Sequence, residues 1–549
     1  MREEAFNWRA RDEVLGGLGN GYDLIIIGGG IIGAGISLEA SKRGYRVLLI
    51  EKGDIGSGTS SRSSRLIHGG LRYLKYGKLK LVLEASRERY HLWTAYPHLV
   101  RPIAFLIPFY KGVGEGPLVT LLGLWLYDLL SGFRNFRNHR RLNREEVLAE
   151  EPHLRSDGLL GGAIYYDCGT DDFRLVLLNA IRAHLTGADI LTYSKVESLI
   201  MRDGRPGGVR FRDLLHGGTH EVLGHVIVNA TGPWSDEVRL MLPSSERRLR
   251  PTKGVHIFVP HSRVGNRNAV IMRSPDDERV VFAMRWHDLT LVGTTDTDYE
   301  GDPDDVKARR EDVTYLLESV NHSFPQANLK VEDVVSSFAS LRPLIAEYGK
   351  PESEVTRDIK IVQDARGLIS ILGGKLTTYR RAAKTVMQTV GRQLTRKGGT
   401  SSRLTPLPEV SITEAELREL RARASNEQAS LGLDPEVVDH LIASYGPACR
   451  HLLDHSENDM LRRRIVPGLP YIFAEVVYAV EHEMALKLED VLVRRTGVMH
   501  EDLEHGLEVA EEVARLMAGD LGWSVDRVRR EVEEYRQIVV AAEAFRGEA

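Results

Sequence analysis

Cysteine is almost absent from this chain, and long apolar stretches are absent altogether. Among 549 residues only Cys168 and Cys449 occur, far apart and outside any CxxC or Cys/His cluster. A disulfide scaffold and a cysteine-rich metal site are therefore excluded, no metal is expected, and a reducing compartment fits. The most hydrophobic window, residues 118–130, contains Asp128 and is shorter than the ~20 apolar residues that a membrane-spanning helix needs. We therefore expect no membrane span, and no signal peptide, because the N-terminus is charged throughout.

An excess of charge of one sign is also lacking. Lysine and arginine number 73 against 77 aspartates and glutamates, a formal net charge of −4. This balance creates no overall field that would attract nucleic acid, so no nucleic-acid partner is expected. With 42% hydrophobic and 27% charged residues, the composition is that of an ordinary globular protein. The chain exceeds the ~250–300 residues at which a single core stops growing, which predicts several domains.

The strongest local pattern is a strand, a glycine-rich turn, a helix and a second strand within residues 22–51. Gly28, Gly30 and Gly33 have the GxGxxG spacing. The first permits the tight turn, the second lets the backbone approach a pyrophosphate, and the third lets the helix pack close to the strand. Glu51 follows the second strand, where it can accept hydrogen bonds from ribose hydroxyls and disfavours the 2′-phosphate of NADP. The pattern predicts a dinucleotide-binding βαβ unit; a glycine turn without a ligand is the lesser alternative.

Two further apolar runs end in small residues, at 226–232 and 368–374, and a helical stretch follows the second. Glycines at such positions favour a close approach of backbone to a ligand. We therefore expect a cofactor domain assembled from distant pieces of chain, with the stretches between them forming another layer.

The last part of the chain has a different character. Residues 396–407 have the composition of a linker, and the pattern beyond them is helical. Thr413 and Glu416 have the spacing of a capping box, and Asp434 and Gly446 bracket another helix. This block carries no visible chemistry, so a structural or partner-docking role is its default interpretation.

Several motifs resemble those of FAD-dependent glycerol-3-phosphate dehydrogenases of the respiratory, aerobic type. Besides the glycine turn they are GTSSRSS (58–64), LIHGGLRYL (66–74), NATGPW (229–234), VGTTD (292–296), LRPL (341–344) and GGKLTTYR (373–380). The motifs cover roughly residues 22–385 in the family's order. The glycine turn is common to many flavoproteins, whereas LIHGGLRYL and GGKLTTYR are far more particular. One departure is Ile32, where family members often have a polar residue.

The resemblance implies an α/β fold: a Rossmann-like FAD-binding domain of the glycine/D-amino-acid oxidase type, with a mixed-sheet substrate domain and a C-terminal all-α domain. The corresponding boundaries are an N-terminal extension (1–21), a discontinuous FAD-binding domain (22–75, 160–235 and 335–395), a substrate-binding or cap domain (76–159 and 236–334), a linker (396–408) and a C-terminal helical domain (409–549).

The resemblance also implies FAD as the cofactor and the oxidation of sn-glycerol 3-phosphate to dihydroxyacetone phosphate. Hydride would pass from C2 to flavin N5, and the electrons would then pass to the quinone pool. The implied location is cytoplasmic or peripheral on the inner face of the cell membrane, and a homodimer is left open. Three alternatives remain: an alpha-glycerophosphate oxidase of the same fold that uses O2 and releases H2O2, an amine-oxidising relative, and a flavin-bound scaffold without turnover.

The family match places a set of residues around the cofactor, where the serine-rich loop would cradle the pyrophosphate and later segments would approach the flavin. These expected FAD-binding residues are Gly28, Gly30, Gly33, Glu51, Lys52, Thr59, Ser60, Ser61, Ser64, His68, Gly70, Leu71, Val196, Ala230, Thr231, Gly232, Gly374, Lys375, Leu376 and Thr377.

Oxidation of a secondary alcohol by a flavin needs a base for the hydroxyl proton. His256 is the candidate, because an imidazole with a pKa near ~6.5 suits proton transfer at neutral pH. Arg342 is expected to stabilise the alkoxide that develops at C2. A phosphate dianion needs several fixed cations and hydroxyl donors. The resemblance assigns that binding to Arg72, Arg357 and Lys375, together with Arg342 in a second role, and Tyr73 would add a hydroxyl donor.

An arginine-rich segment follows the apolar window 118–130. Its arginines recur at three- and four-residue intervals, which predicts one helical face: Arg134, Arg137, Arg140, Arg141 and Arg144. Such a face is open to three interpretations: a solvated surface, an RNA contact, or a contact with anionic lipid. The window itself is either a buried core helix or an interfacial segment.

Overall fold

A computed structural model describes residues 5–243, 245–346, 359–364, 366–394 and 412–547. The strands are β1 (Tyr22–Ile27), β2 (Val47–Ile50), β3 (Leu66–Ile67), β4 (Val100–Tyr110), β5 (Arg140–Leu142), β6 (Leu159–Thr170), β7 (Asp189–Leu191), β8 (Ser194–Arg202), β9 (Arg205–Asp213), β10 (Thr219–Asn229), β11 (Leu249–Pro260), β12 (Ala269–Arg273), β13 (Val280–Trp286), β14 (Leu289–Gly293), β15 (Thr297–Asp298), β16 (Ser336–Ile345), β17 (Lys360–Gln363) and β18 (Ile369–Leu372).

The α-helices are α1 (Trp8–Gly16), α2 (Ile31–Lys42), α3 (Leu79–Ala95), α4 (Pro117–Leu130), α5 (Arg144–Glu150), α6 (Asp172–Leu185), α7 (Ser235–Arg239), α8 (His261–Val264), α9 (Arg310–Ser323), α10 (Tyr379–Gln393), α11 (Glu414–Leu431), α12 (Pro435–Tyr445), α13 (Cys449–His455), α14 (Asp459–Arg462), α15 (Phe473–His482), α16 (Val498–Glu501), α17 (Ala510–Leu521), α18 (Val525–Ala542) and α19 (Ala544–Gly547).

The first sheet contains the predicted βαβ unit. Its strand order is β17-β18-β10-β1-β2-β7, and β1 runs parallel to both β10 and β2. Ile26 packs in a core with residues of α2, α6 and α10, whereas Ile25 packs on the opposite face against residues of β8 and β9. A central parallel strand covered on both faces must be apolar throughout, which explains the uninterrupted run in β1. The Rossmann-like dinucleotide fold and its assembly from distant pieces are confirmed.

The second sheet is mixed, with strand order β15-β11-β14-β13-β12-β4-β6-β3, and both β16 and β5 pair at its side. A long antiparallel pairing joins β11 to β16, from Leu249 opposite Ile345 to Phe258 opposite Ser336. Three of its strands, β3, β6 and β16, lie in segments that the sequence assigned to the FAD-binding domain. They belong to the second sheet because β6 pairs with β4, β3 pairs with β6, and β16 pairs with β11.

The described residues after 411 form the C-terminal helical domain, as predicted. Glu416 N donates to Thr413 Oγ1 at 3.3 Å and Thr413 N donates to the Glu416 carboxylate at 2.7 Å, which confirms the capping box. Asp434 and Gly446 are the cap residues of α12, also as predicted. The linker predicted at 396–408 lies outside the described residues.

Buried ion pairs join the C-terminal domain to the first sheet. Asp54, just beyond β2, is fully buried and accepts hydrogen bonds from Arg494, at 2.7 Å, and from Arg495. Arg174 of α6 pairs with Glu483 at 2.5 Å. These charges lose their hydration on burial and are compensated only by one another, so removing one partner leaves an uncompensated charge. The helical domain is therefore docked against the dinucleotide fold by specific buried charges.

Helix α4 is the predicted apolar window, and it projects much of its apolar surface into solvent. Leu118 is 81% exposed and Leu122 is 69% exposed, while Leu124 and Tyr127 are buried. Other large apolar side chains exposed on this helix and just after it are Val119, Trp125, Leu129, Phe133 and Phe136. The interpretation as a buried core helix is wrong, because only one face of α4 packs against other described residues. Among the described residues, no helix is long and apolar enough to cross a membrane.

The arginine-rich segment does not form a helical face, and that prediction is wrong. Helix α4 ends at Leu130, and Gly132 and Phe133 have φ values of +62° and +53°, which stop the helix. The five arginines are exposed but belong to different elements: two precede β5, two lie in it, and one begins α5. They follow α4 in the sequence but do not line a single helix.

Candidate active site

The glycine turn between β1 and α2 requires glycine for steric reasons. Gly28 has φ +106°, and a Cβ there would lie 2.7 Å from the carbonyl oxygen of Ala230. A Cβ on Gly33 would lie 1.8 Å from the carbonyl oxygen of Gly28. A larger residue at either position would force the turn apart. The turn thus brings the Ala230–Gly232 segment, which follows β10, against the start of α2.

Glu51 holds this turn from the end of β2. Its carboxylate accepts hydrogen bonds from Gly29 N at 2.6 Å and from Gly53 N at 2.8 Å. Burial raises the pKa of Glu51, and the two backbone donors oppose that rise. Val196 lies in β8, whose first residue, Ser194, donates its backbone N–H to the Glu51 carbonyl at 2.8 Å. Glu51 and Val196 therefore lie near each other at the edge where a dinucleotide would rest.

The serine-rich loop crosses the N-terminus of α2. Ser60 Oγ accepts the N–H of Ile31 at 3.0 Å, and a Cβ on Gly30 would lie 3.0 Å from the same oxygen. An oxygen atom thus already occupies a position on the helix N-terminal amides, which is where a phosphate oxygen binds in dinucleotide folds. Thr59 Oγ1 donates to the carbonyl of Leu341 at 2.7 Å and ties the loop to β16. The donors and the close backbone packing fit a pyrophosphate.

The side chain of Lys52, another residue expected to bind FAD, contacts residues of the protein itself. Its ammonium pairs with Asp304 at 2.5 Å and lies 4.4 Å from the ring centroid of Trp234. Ser61 Oγ donates to the Gly58 carbonyl at 3.5 Å. Both side chains thus make contacts within the protein.

The LIHGGLRYL and GGKLTTYR motifs meet in space although some 300 residues separate them. His68 N donates to Thr377 Oγ1 at 3.2 Å. Lys375 Nζ lies 3.7 Å from the ring centroid of Tyr73. Gly70 has φ +78°, and a Cβ there would lie 2.5 Å from the Tyr73 ring. Tyr73 and Lys375, the two residues of these motifs for which phosphate binding was predicted, are thus neighbours in the fold.

Other predicted site residues lie next to the place where these two motifs meet. Leu71 begins the 3₁₀-helix Leu71–Tyr76, on which Arg72 is exposed. Gly374 has φ +122°, and a Cβ there would contact Ile32 at 3.4 Å, so the apolar Ile32 packs against the GGK turn. Arg357 lies outside the described residues.

His256 lies in β11, in a tightly shaped slot. Its Nε2 lies 2.8 Å from Ser64 Oγ, and its ring stacks on Phe338 with centroids 4.9 Å apart. A Cβ on Gly293, directly opposite in β14, would lie 2.1 Å from the imidazole. Burial, followed by the positive charges of Arg342 and Arg65, lowers the pKa of His256 to about 3. The imidazole is therefore neutral at physiological pH, which is the state a proton acceptor needs.

Arg342 of β16 lies beside this slot, and the VGTTD motif holds it. Its guanidinium donates to Asp296 Oδ1 at 2.9 Å, to Thr294 Oγ1 at 2.9 Å and to the Thr295 carbonyl at 3.0 Å. A Cβ on Gly254 would lie 2.5 Å from the same guanidinium. The second sheet thus positions a fixed cation next to a neutral imidazole. That arrangement can remove a hydroxyl proton and stabilise the resulting negative charge.

Sequence reasoning missed two buried acids that hold the LIHGG loop and the serine-rich loop by hydrogen bonds. Asp167 of β6 accepts hydrogen bonds from Gly69 N at 3.1 Å and from Tyr127 OH at 2.7 Å, and it pairs with Arg89. Asp172 accepts both the backbone N–H and the hydroxyl of Ser63. Neither acid lies in a recognisable motif, so only the three-dimensional pairing of β6 and α6 with the loop reveals them.

The role of VGTTD was also missed, although the motif itself was visible in the sequence. Its Asp296 and Thr294 accept hydrogen bonds from Arg342 and hold the guanidinium in place. The polar residues that follow the apolar strand in this motif were the feature of the sequence that could have indicated this role.

Comparisons with known proteins agree with this geometry. Residues 23–380 match the family described as FAD dependent oxidoreductase, and residues 371–528 match the C-terminal domain of alpha-glycerophosphate oxidase. The chain therefore belongs to the FAD dependent oxidoreductase family.

Individual relatives narrow the assignment. The aerobic glycerol-3-phosphate dehydrogenase of Staphylococcus haemolyticus (strain JCSC1435) is 36% identical over 90% of this chain and 91% of the relative. The enzyme of the same name from Staphylococcus aureus (strain USA300) is 34% identical over 95% of both. Within the flavin-dependent family, the chain thus belongs with the aerobic glycerol-3-phosphate dehydrogenases, as its motifs predicted.

Solved structures give the same result. The glycerol-3-phosphate dehydrogenase from Bacillus halodurans, complexed with FAD, is 33% identical with a TM-score of 0.82, and the match covers 98% of both chains. L-alpha-glycerophosphate oxidase from Mycoplasma pneumoniae, at 19% identity and a TM-score of 0.54 over 70% of this chain and 99% of that one, shows the shared fold alone. FAD is the cofactor of this chain, and the glycine turn, Glu51 and Ser60 are the groups that fit it.

Proposed function

We propose that this FAD-dependent enzyme oxidises sn-glycerol 3-phosphate to dihydroxyacetone phosphate and passes the electrons to a quinone. The observation that carries the proposal is the neutral His256 beside the fixed guanidinium of Arg342, within a chain that belongs with the aerobic glycerol-3-phosphate dehydrogenases. The flavin, when bound, supplies the hydride acceptor. Everything else in the reaction must come from the side chains around it.

His256 takes the proton of the C2 hydroxyl. Its Nε2 faces Ser64 Oγ, so the hydroxyl of Ser64 and the stacked ring of Phe338 set the orientation of the imidazole. Fixing the orientation and tautomer of the base lowers the cost of reaching the reactive geometry. Arg342, already fixed by Asp296 and Thr294, stabilises the oxyanion at C2 without having to reorganise.

The phosphate of the substrate binds to Tyr73 and Lys375, with Arg72 and Arg357 as further cations. Tyr73 and Lys375 meet in space although about 300 residues separate them in the chain. A dianion favours several cations over the single carboxylate clamp of an amine oxidase, which argues against that alternative.

Anaerobic titration of the purified yellow protein with glycerol 3-phosphate tests the first half of the proposal. Bleaching of the flavin absorbance at one equivalent supports it, and an intact spectrum contradicts it. The acceptor is tested by measuring hydrogen peroxide per substrate oxidised in air. The match to the C-terminal domain of alpha-glycerophosphate oxidase makes an O2-using oxidase the second candidate, and stoichiometric peroxide would favour it.

We also propose that α4 contacts the inner membrane surface peripherally. Its exposed leucines and Trp125 are adjacent to exposed arginines 134–144, so an apolar face would enter the lipid while the cations meet anionic head groups. In a flotation assay, the wild-type enzyme should rise with vesicles that contain anionic lipid, whereas the Leu118→Asp/Leu122→Asp variant should stay in the bottom fraction. Leu503→Asp, at a leucine 73% exposed in the C-terminal domain, is the matched control. Equal flotation of all three proteins would contradict the proposal.

A further inference from the structure

A cavity lies at the junction of the serine-rich loop, the second sheet and the C-terminal domain. Its volume is about 640 Å³, within the range of ~300–1,000 Å³ typical of small-molecule sites. His256, Arg342, Tyr73 and Lys375 do not line it. It is therefore distinct from the site where the substrate is expected to bind.

The cavity is nevertheless separated from the candidate base by a single layer of side chains. Ser64, whose Oγ lies 2.8 Å from His256 Nε2, also lines the cavity. Phe338, which stacks on the His256 ring, lines it as well. A molecule in this cavity would therefore lie against Ser64 and Phe338, the two side chains that contact His256.

Two arginines on the cavity wall have an unusual charge environment. Arg62 has no carboxylate within 4.0 Å among the described residues, and its charged neighbour Arg494 is already paired with Asp54 and Asp490. Burial and that neighbouring cation lower the pKa of Arg62. Arg65 likewise has no carboxylate partner within that distance in the described parts of the chain. Carboxylates also line the cavity (Asp171, Asp172, Asp304, Asp305 and Glu501), but none of them contacts Arg62 or Arg65 directly. The donors of these two arginines can therefore meet ligand oxygens on which negative charge develops.

The cavity wall also has aromatic side chains beside these two cations. The Arg65 guanidinium lies 3.9 Å from the ring centroid of Trp286. Trp286 is itself fixed by donating its Nε1–H to Glu501 at 2.9 Å. His500 adds a ring whose pKa burial lowers to about 3, so it is a neutral hydrogen-bonding group at physiological pH. A planar ring with polar oxygens matches these walls: its faces meet aromatic side chains, and its oxygens meet donors.

We propose that this cavity is the site of the electron acceptor and binds the head group of a quinone, with Arg62 and Arg65 directed at the oxygens and Trp286 and Phe338 against the ring. The inference rests on the proposed function, since it requires a flavin that the substrate has reduced. In the transfer the quinone gains two electrons and two protons and becomes the quinol, while the reduced flavin loses two electrons and two protons. Buried cations favour the acceptor because negative charge grows on its oxygens as it takes electrons. Dioxygen requires neither this volume nor an aromatic wall.

The first test is binding, measured on the oxidised holoenzyme without turnover. An azido-naphthoquinone is photolysed in the presence of the enzyme, and the labelled peptides are identified by mass spectrometry. Label is expected in the Trp286 and His500 peptides, and an excess of the parent naphthoquinone should prevent it. Labelling confined to other regions, or labelling that the parent compound does not suppress, overturns the proposal.

The second test separates the two half-reactions. Arg62→Leu should lower kcat/KM for the naphthoquinone at least tenfold, whereas Arg62→Lys should retain most of it. Anaerobic bleaching by glycerol 3-phosphate serves as the reference within each variant, because it reports folding, flavin content and the substrate site together. Arg210→Leu, at an exposed arginine paired with Glu221 on β9, is the matched control.

The outcomes are distinguishable. Quinone reduction by Arg62→Leu at the wild-type rate, with normal bleaching, sinks the acceptor site and leaves the proposed function intact. Failure of glycerol 3-phosphate to bleach the wild-type flavin sinks the proposed function, while the photolabelling still decides whether the cavity binds quinone. Displacement of the label by inorganic phosphate but not by the parent naphthoquinone would identify an anion site instead and overturn the assignment.

Discussion

Replacement of Arg342 by alanine is the sharpest single perturbation of the candidate active site. The guanidinium makes three hydrogen bonds of 3.0 Å or less, to Asp296, Thr294 and Thr295, so its position is set before substrate arrives. Loss of one preorganised donor at a developing oxyanion typically costs about 10²–10³ in rate, equivalent to about 2.7–4 kcal/mol of transition-state stabilisation. We expect the Arg342→Ala enzyme to lose at least that factor in the rate of flavin reduction.

The assay is anaerobic stopped-flow reduction of the bound flavin by glycerol 3-phosphate. Flavin content should be unchanged, because Arg342 lies in the second sheet while the glycine turn and Glu51 lie in the first. Arg342→Lys should recover part of the rate as a point charge, without the forked geometry. Arg250→Ala is the control, because it removes an arginine of the same sheet whose ion pair with Asp298 lies at the surface. The flavin of this variant should be reduced at the wild-type rate. An Arg342→Ala enzyme within threefold of the wild type would refute the role assigned to this cation.

Three further outcomes are expected. Gly33→Ala should abolish flavin binding, seen as loss of the yellow colour on purification, because its Cβ would collide with the Gly28 carbonyl; a yellow variant would contradict this. Asp54→Ala should lower the free energy of unfolding by about 3–5 kcal/mol in denaturant melts, because it strands the Arg495 charge in the interior, and a change below 1 kcal/mol would contradict it. The lowered pKa of His256 contributes stability that is complete above the unfolded-state value of ~6.5 and is lost as pH falls below it, so His256→Asn should flatten that part of the stability profile; an unchanged acid slope would argue against a buried neutral imidazole.

The exposure of α4 shows one limit of sequence patterns. Its composition fits a core helix and an interfacial helix equally well, because an apolar run does not show which other elements cover it. The difference depended on whether other elements pack on Leu118 and Leu122, and none of the described ones does. The arginines after it were misjudged for a related reason, because a glycine and a positive φ at Phe133 ended the helix that their spacing suggested.

By itself the sequence determined the βαβ unit, the glycine turn, the caps of α11 and α12, and the family. The first three depend on residues close in the chain, where steric fit and capping act over one turn or one strand, and the family follows from a series of short motifs, each of which is a continuous run of residues. Only the tertiary structure decided that Ser64 would meet His256 across 192 residues, or that Asp167 would hold Gly69 across 98. Such contacts follow from strand register and sheet order, which the summed packing of the whole chain selects, and no local pattern contains that information.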